Sequence, residues 1–260
     1  MEHSIAERLE FAKELATEAG ALALHLRQNK PDDFIQSKGP QDFVTYADRE
    51  VEKMIRSRIT ERFGDDAFLG EEEGQTGIGG NIWTVDPIDG TTNYMHGLPD
   101  WAVSIAWCSD GEIQLGVLAL PDSNCLAWAQ RGKGAFVNGE PISVSDCTQV
   151  KQSLLMLGRS ARNPLADYLG IVERAIADGS EYRRSGAATV SLLAVARGQV
   201  EGYYEVHLNA WDALAGLLIV SEAGGNYDVE ELDVFLSKGS YVFADNGRMT
   251  RWMKDVVQVA

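Results

Sequence analysis

The chemistry in this sequence concentrates in acids that end apolar stretches. Asp86 and Asp89 lie three apart in Trp83-Thr84-Val85-Asp86-Pro87-Ile88-Asp89-Gly90-Thr91-Thr92-Asn93, with Pro87 between them. A proline-stiffened turn there aims two carboxylates and the Ile88 carbonyl into one small volume, which supplies three hard oxygen donors. Gly90, Thr91 and Thr92 follow, and a helix starting at that point directs unpaired backbone N–H groups at whatever the oxygens hold, which favours an anion. Two more apolar stretches end the same way, at Leu69-Gly70-Glu71-Glu72 and Trp211-Asp212. If Glu71, Asp86, Asp89 and Asp212 converge, four carboxylates share a site that needs cations to stay ionised. All the donors are oxygen, with no cysteine and no well-placed histidine, so magnesium or manganese suits the set better than zinc.

Each segment alone also has a plain structural reading. Asp-Pro opens many turns, and Glu71 to Glu73 can be a solvated acidic loop. Asp48 and Asp212 can each stabilise a helix N-terminus. Trp211 reads as core, and His96 and His207 as structural or surface residues. Joint occurrence of the acids, not any single motif, carries the functional reading.

The elements that must position these acids follow from periodicity. Ser4 with Glu7 forms a capping-box pattern, and Ile5, Leu9, Ala12, Ala16, Ala19, Leu22, Ala23 and Leu26 recur at helical spacing behind it. Pro31 to Pro40 reads as a polar loop, and a second helix is predicted from about Thr45, with Asp48 in its first turn and Val51, Ile55 and Ile59 as its apolar stripe. Ala67 to Gly70 is a predicted short strand, and Gln75 to Asn81 a glycine-rich loop. Further strands are expected over 101–107, 113–120, 125–130, 134–137 and 141–144, the last two flanking the hairpin signal Asn138-Gly139. From Ser153 strands and helices alternate: a strand over 154–157, a helix opened by Asn163 and Pro164 and stopped by Gly179, then a helix over 188–197. A strand over 202–206, a helix over 211–223, a strand over 241–244 and a helix over 249–257 complete it. Residues 1–150 therefore read as an α+β half with an antiparallel sheet and most of the acids. Residues 151–260 read as an α/β half with a mostly parallel sheet, and the two share an interface as one compact unit.

Composition narrows the partners. A formal net charge of −16 and a pI near 4.6 argue against direct contact with nucleic acid or an anionic membrane, because both call for basic patches. Cys108, Cys125 and Cys147 are odd in number and lack a Cys-x-x-Cys spacing, which suggests neither a disulfide framework nor a zinc knuckle. The opening MEHSIAERLEF is already charged and helical in pattern, so a secretion signal is not expected there and the cytoplasm is the expected location.

Four stretches in order, Asp42-Phe43-Val44-Thr45-x-Ala47-Asp48, Gly70-Glu71-Glu72, Trp83 to Asn93, and Trp211-Asp212-Ala213 through Gly225, resemble the inositol monophosphatase family across nearly the whole chain. The resemblance implies a layered α-β-α-β-α sandwich, usually a homodimer. It also implies a magnesium-dependent, lithium-sensitive phosphatase with two to three ions per site, manganese being a substitute. By that resemblance Glu71, Asp86 and the Ile88 carbonyl hold one ion, and Asp86, Asp89 and Asp212 a second. Asp48 with Thr91 orients and deprotonates the attacking water, with Glu71 beside them. Backbone N–H groups of Gly90, Thr91 and Thr92 face the phosphate. Asp89, Gly186, Ala187, Ala188, Glu205 and Asp212 face the alcohol. Two departures bear on the substrate: Ala187 stands where a hydroxyl residue is common, and Asn226 to Ser237 lacks the usual glycine-rich run. The resemblance points first to myo-inositol 1-phosphate, with histidinol phosphate as the alternative on the same scaffold. A reading of another class is an interaction partner of transcription or RNA-processing machinery.

Overall fold

Ser4 caps helix α1 (Ile5–Gln28): the Glu7 N–H donates to the Ser4 hydroxyl, and the Ser4 N–H donates to the Glu7 carboxylate, closing the capping box. The computed structural model describes residues 4–30, 35–39, 42–160 and 162–258. Strands β1 (Ile35–Gly39) and β2 (Asp42–Thr45) pair as an antiparallel ribbon where a loop was predicted; Pro31 and Pro40, which prompted that reading, lie outside the described residues. Helix α2 (Tyr46–Arg62) follows, capped by Thr45.

The next strands are β3 (Ala67–Gly70), β4 (Gly74–Thr76) and β5 (Ile82–Asp89), with helix α3 (Thr91–His96) after them. Strands β6 (Ala102–Ser109), β7 (Glu112–Leu120), β8 (Cys125–Gln130), β9 (Ala135–Val137) and β10 (Glu140–Pro141) complete an eight-stranded sheet ordered β10-β9-β8-β7-β6-β5-β3-β4. It is antiparallel except for the β3–β5 pair. The strand expected over 141–144 shrinks to the two residues of β10.

Beyond residue 150 come β11 (Leu154–Leu157), α4 (Leu165–Ala177), β12 (Glu181–Arg183), α5 (Ala188–Ala196), β13 (Gly202–Leu208) and α6 (Ala210–Glu222). The chain ends with β14 (Asn226–Asp228), α7 (Leu232–Lys238), β15 (Ser240–Asp245) and α8 (Thr250–Val257). Pro164 is the cap of α4, one position later in role than predicted. The second sheet, ordered β12-β11-β13-β15-β14, is mixed and not mostly parallel: β11 pairs in parallel with β12 and β13, whereas β15 runs antiparallel to β13 and β14. The reversal is local in origin, because α7 returns the chain from β14 to the neighbouring β15 by a short connection that leaves no length for a parallel crossover.

Three apolar layers sort these elements. Ala12, Leu15, Ala19, Val51, Ile55 and Ile59 of α1 and α2 pack on Trp83, Val85, Ile105, Leu115 and Val117 of the large sheet. Its opposite face, with Ala106, Leu118 and Ala127, meets α5 and α6, which also cover Tyr203, Val242 and Ala244 of the small sheet. The outer face of the small sheet, with Leu155, Tyr204 and Phe243, packs on Ala175 of α4 and Met253 and Val256 of α8. The result is the α-β-α-β-α sandwich, with α5 and α6 as the shared central layer. No helix among the described residues is long and apolar enough to cross a membrane.

Candidate active site

The Asp86–Asp89 stretch is not a turn beyond a strand but a bulge inside one. β5 lies between β3 and β6, and its pairing with β6 slips between Asp86, opposite Ser104, and Asp89, opposite Ala102. Three steps on β5 thus span two on β6. Pro87 has no N–H for the ladder, so a bulge is where a central strand tolerates it. The Ile88 N–H donates to Asp86 Oδ1 at 2.9 Å, which fixes that carboxylate against the backbone. Gly90 then caps α3 with φ of 88°, and a Cβ there would stand 3.0 Å from both the Asp100 carbonyl and the Ala187 side chain. No side chain caps the first turn of α3, which holds Thr91 and Thr92.

Asp48 reaches the same place from α2. Its Oδ2 accepts from the Thr45 N–H at 2.8 Å and the Thr45 hydroxyl at 2.5 Å, and its Oδ1 lies 3.2 Å from the Thr91 hydroxyl. That hydroxyl is also 3.1 Å from the Ile88 carbonyl. Burial pushes the Asp48 carboxyl up to about 6 against the Thr45 bonds, with the charge of Glu72 adding to the rise. A carboxylate so placed titrates near neutrality, as a general base should.

The turn that follows Glu71 is held by a residue the sequence reading missed. Glu52, fully buried on α2 one turn after Asp48, accepts from the Glu72 N–H at 2.8 Å and the Glu73 N–H at 3.0 Å, and Arg56 bonds it at 3.1 Å. Its spacing of four from Asp48, beside Val51 and Ile55, was the available signal of an acid on the inward face. A Cβ on Gly70 would lie 2.5 Å from this carboxylate. Gly70→Ala is therefore expected to raise the magnesium concentration for half-maximal activation roughly 10-fold or more, as losses in the support of a metal ligand do. Titrating magnesium against phosphate release checks this; an unchanged midpoint would remove Glu52 from the site.

Asp89 and Asp212 join the two ends of the chain. Asp89 accepts from the Ala188 N–H at 3.3 Å, the Thr189 N–H at 2.7 Å and, in a very short bond, the Thr189 hydroxyl. It caps α5 in place of Ala187, which offers no side-chain bond of its own. Asp212 forms a capping box with Asn209 at the start of α6, its Oδ2 accepting from the Asn209 N–H at 2.8 Å. Ser104 on β6 donates to the Trp211 carbonyl at 2.9 Å, and Asn93 donates to the Asp100 and Ser185 carbonyls at 2.7 and 2.8 Å. Thr189, Ser104 and Asn93 also escaped the sequence reading, since their partners lie about a hundred residues away.

Burial and mutual repulsion dominate the electrostatics of this group of acids. Burial holds Asp86 well above the ordinary carboxylate range, and the charges of Glu71, Asp89, Asp212 and Asp48 push it further the same way. Burial, then the charge of Asp89, lifts Asp212 to about 7; burial also raises Asp89 against its Thr189 bonds. No three acidic, histidine or cysteine side chains among the described residues close into a finished ligand shell. What the structure shows is a group of buried oxygen donors whose charges repel one another. Divalent cations of the magnesium type fit that donor set.

The polar side of the cleft is a cavity of about 200 Å³ bounded by Asp89, Gly186, Ala187, Ala188, Glu205 and Asp212, with Arg159 and Arg184 also on its wall. Glu205 accepts from the Tyr203 hydroxyl at 2.7 Å, and burial raises its carboxyl to about 7. Neither histidine lines it. His96 is exposed, and His207 is lowered by burial with its Nε2 unbonded among the described residues. Trp211 packs against the central core layer. The glycine-poor segment after Gly225 forms β14 and α7, and none of it borders the cavity.

These shifts set a pH dependence of stability. Asp48, Glu205 and Asp212 are raised in the folded chain, so their contribution is full below about pH 4 and is lost as pH rises through about 6 to 7. The metal-free protein is expected to lose thermal stability across that window, and excess magnesium to restore it increasingly as pH rises. Thermal midpoints against pH with and without magnesium check both; a midpoint rising through the window would contradict the assigned shifts.

The class follows from the match over nearly the whole length: the chain belongs to the inositol monophosphatase family, whose model matches residues 4–258. It is 37% identical over 222 residues, 84% of each chain, to a fructose-1,6-bisphosphatase/inositol-1-monophosphatase of Aquifex aeolicus. It is 34% identical over 251 residues to a protein of Neisseria meningitidis named a putative Nus factor SuhB, covering 95% of this chain and 96% of that one. Among solved structures, the extragenic suppressor protein suhB of Bartonella henselae superposes with a TM-score of 0.89 at 33% identity, covering 98% of this chain and 99% of that one.

Proposed function

We propose that this chain hydrolyses a small phosphate monoester with magnesium, with myo-inositol 1-phosphate as the leading substrate. The carrying observation is the meeting of Glu71, Asp86, Asp89 and Asp212 beside the Asp48–Thr91 pair, at the mouth of a polar cavity. Asp86, Asp89, Asp212, Glu71 and the Ile88 carbonyl are the residues that would hold the ions. When bound, magnesium supplies the positive charge that offsets these acids and stabilises charge developing on the phosphoryl oxygens.

The remaining work falls to the chain's own groups. Asp48, held by Thr45, accepts the Thr91 proton through Oδ1, which frees a Thr91 lone pair to take a proton from the attacking water. The backbone N–H groups of Gly90, Thr91 and Thr92 face the phosphate oxygens. Glu205, poised near neutrality, receives hydroxyls of the alcohol. Direct attack by water needs no covalent phosphoenzyme.

A second reading, a partner of transcription machinery, is favoured by the SuhB relatives. It is compatible with catalysis, because every acid of the site is present. Phosphate release with magnesium titrated, over inositol 1-phosphate, histidinol phosphate, fructose 1,6-bisphosphate and adenosine 3',5'-bisphosphate, tests the assignment. Metal-dependent turnover, greatest on inositol 1-phosphate, is expected; no turnover on any of the four would sink it.

A further inference from the structure

Two hydroxyls near the start of α5 behave differently. The Ser191 hydroxyl takes the ordinary course for a helical serine and donates to the carbonyl four residues back, that of Ala187, at 2.9 Å. Thr189 does not. The carbonyl four residues back from it is that of Ser185, which accepts from the Asn93 amide at 2.8 Å instead. The Thr189 hydroxyl leaves the helix and donates to Asp89 Oδ2, the same oxygen that the Thr189 N–H reaches at 2.7 Å. One residue thus supplies two donors to one oxygen of an acid at the end of β5, a hundred positions earlier in the chain. Thr189 is fully buried, and its hydroxyl meets no other partner among the described residues.

The loop before α5 is held by bonds that do not involve this hydroxyl. The Ala187 N–H donates to the Ser185 hydroxyl at 3.2 Å, the Ser185 and Ser191 hydroxyls lie 2.7 Å apart, and Asn93 holds the Ser185 carbonyl. What the Thr189 hydroxyl fixes is the rotation of the Asp89 carboxylate. With Oδ2 taken twice by Thr189, Oδ1 is the less committed oxygen: its bond from the Ala188 N–H, at 3.3 Å, is the longest of the three from α5, and the Gly90 N–H also acts on the group. A carboxylate has about four acceptor directions, so filling one oxygen leaves the other for a cation.

We infer that Thr189 is a positioning residue for the ion site: by occupying Oδ2 it presents Oδ1 of Asp89 to the cation that Asp86, Asp89 and Asp212 would hold, and so ties ion affinity to the seating of α5. The inference rests on the ion-binding part of the reading above and not on its substrate. Without the hydroxyl, Oδ2 keeps the Thr189 N–H alone and the carboxylate is free to turn. Losing such a support costs metal affinity, typically about 10-fold to 100-fold.

Manganese binding without substrate, followed by the electron paramagnetic resonance of the free ion, tests this. Thr189→Val and Thr189→Ala both lack the hydroxyl and keep the N–H, and each is expected to lose roughly 10-fold or more in affinity for one bound ion, while Thr189→Ser stays near the wild type. The metal-free thermal midpoint separates positioning from packing. Alanine leaves a cavity and valine does not, so the two midpoints should differ while the two losses in affinity agree. Wild-type affinity in either folded variant without the hydroxyl would overturn the inference. A loss that follows the midpoint, larger in Thr189→Ala than in Thr189→Val and present in Thr189→Ser, would make Thr189 a packing residue and overturn it too, as would a wild-type protein that binds no manganese. Lost affinity in the variants, with no turnover of any ester by the wild type, would uphold the positioning role and sink the phosphatase reading. Unchanged affinity beside normal turnover would do the reverse.

Discussion

Asp86→Asn is expected to lower magnesium-dependent phosphate release by roughly 10³-fold or more while raising the thermal midpoint of the metal-free protein. The first effect follows from its position in the bulge of β5, where it is the acid shared by both proposed ion sites; groups that hold transition-state charge act on that scale. The second follows from repulsion. Asp86 is buried, and the charges acting on it most strongly are all acids. An amide removes the buried charge but keeps the shape, and its oxygen can still accept from the Ile88 N–H. The two effects have opposite signs, so a misfolded variant cannot imitate the pair. Full activity in Asp86→Asn would end the catalytic assignment, and a lower metal-free midpoint would show that the acid serves the fold.

Asp48→Asn is expected to lower kcat by about 10² to 10⁴-fold, the usual contribution of a positioned base, with the magnesium dependence nearly unchanged. Asp48 reaches the water through the Thr91 hydroxyl 3.2 Å away, so Thr91→Val should cost a similar factor. Because the two act as one unit, the double variant should be little worse than either alone. Single-turnover rates with saturating magnesium give the comparison. Losses that multiply in the double variant would show that the two residues act independently, and normal kcat in Asp48→Asn would assign the proton transfer elsewhere.

Much of this molecule is local, and the local part was legible. The capping box at Ser4, the start of α2 near Thr45, the stripes of α1 and α2, and the strands β6 to β8 all depend on neighbours within a few residues. The misreadings share one cause. The ribbon of β1 and β2, the antiparallel β15 and the nature of the Asp-Pro stretch are set by pairing across the chain. Asp86-Pro87 reads as a turn in isolation and becomes a bulge only because β3 and β6 hold it on both sides.

By itself, then, the sequence determined which residue types were available: oxygen donors grouped at the ends of apolar runs, a threonine after the second acid, and helices and strands to carry them. Tertiary structure decided what each acid faces. Asp89 became the cap of a helix a hundred residues away, Glu52 became the hidden support of the turn after Glu71, and Arg159 and Arg184 arrived at one rim from two strands. Contacts of that range leave no spacing in the chain. They arise because α5 and α6 must bury two faces at once, and burying them between the sheets draws the acids from both ends of the chain into one cleft.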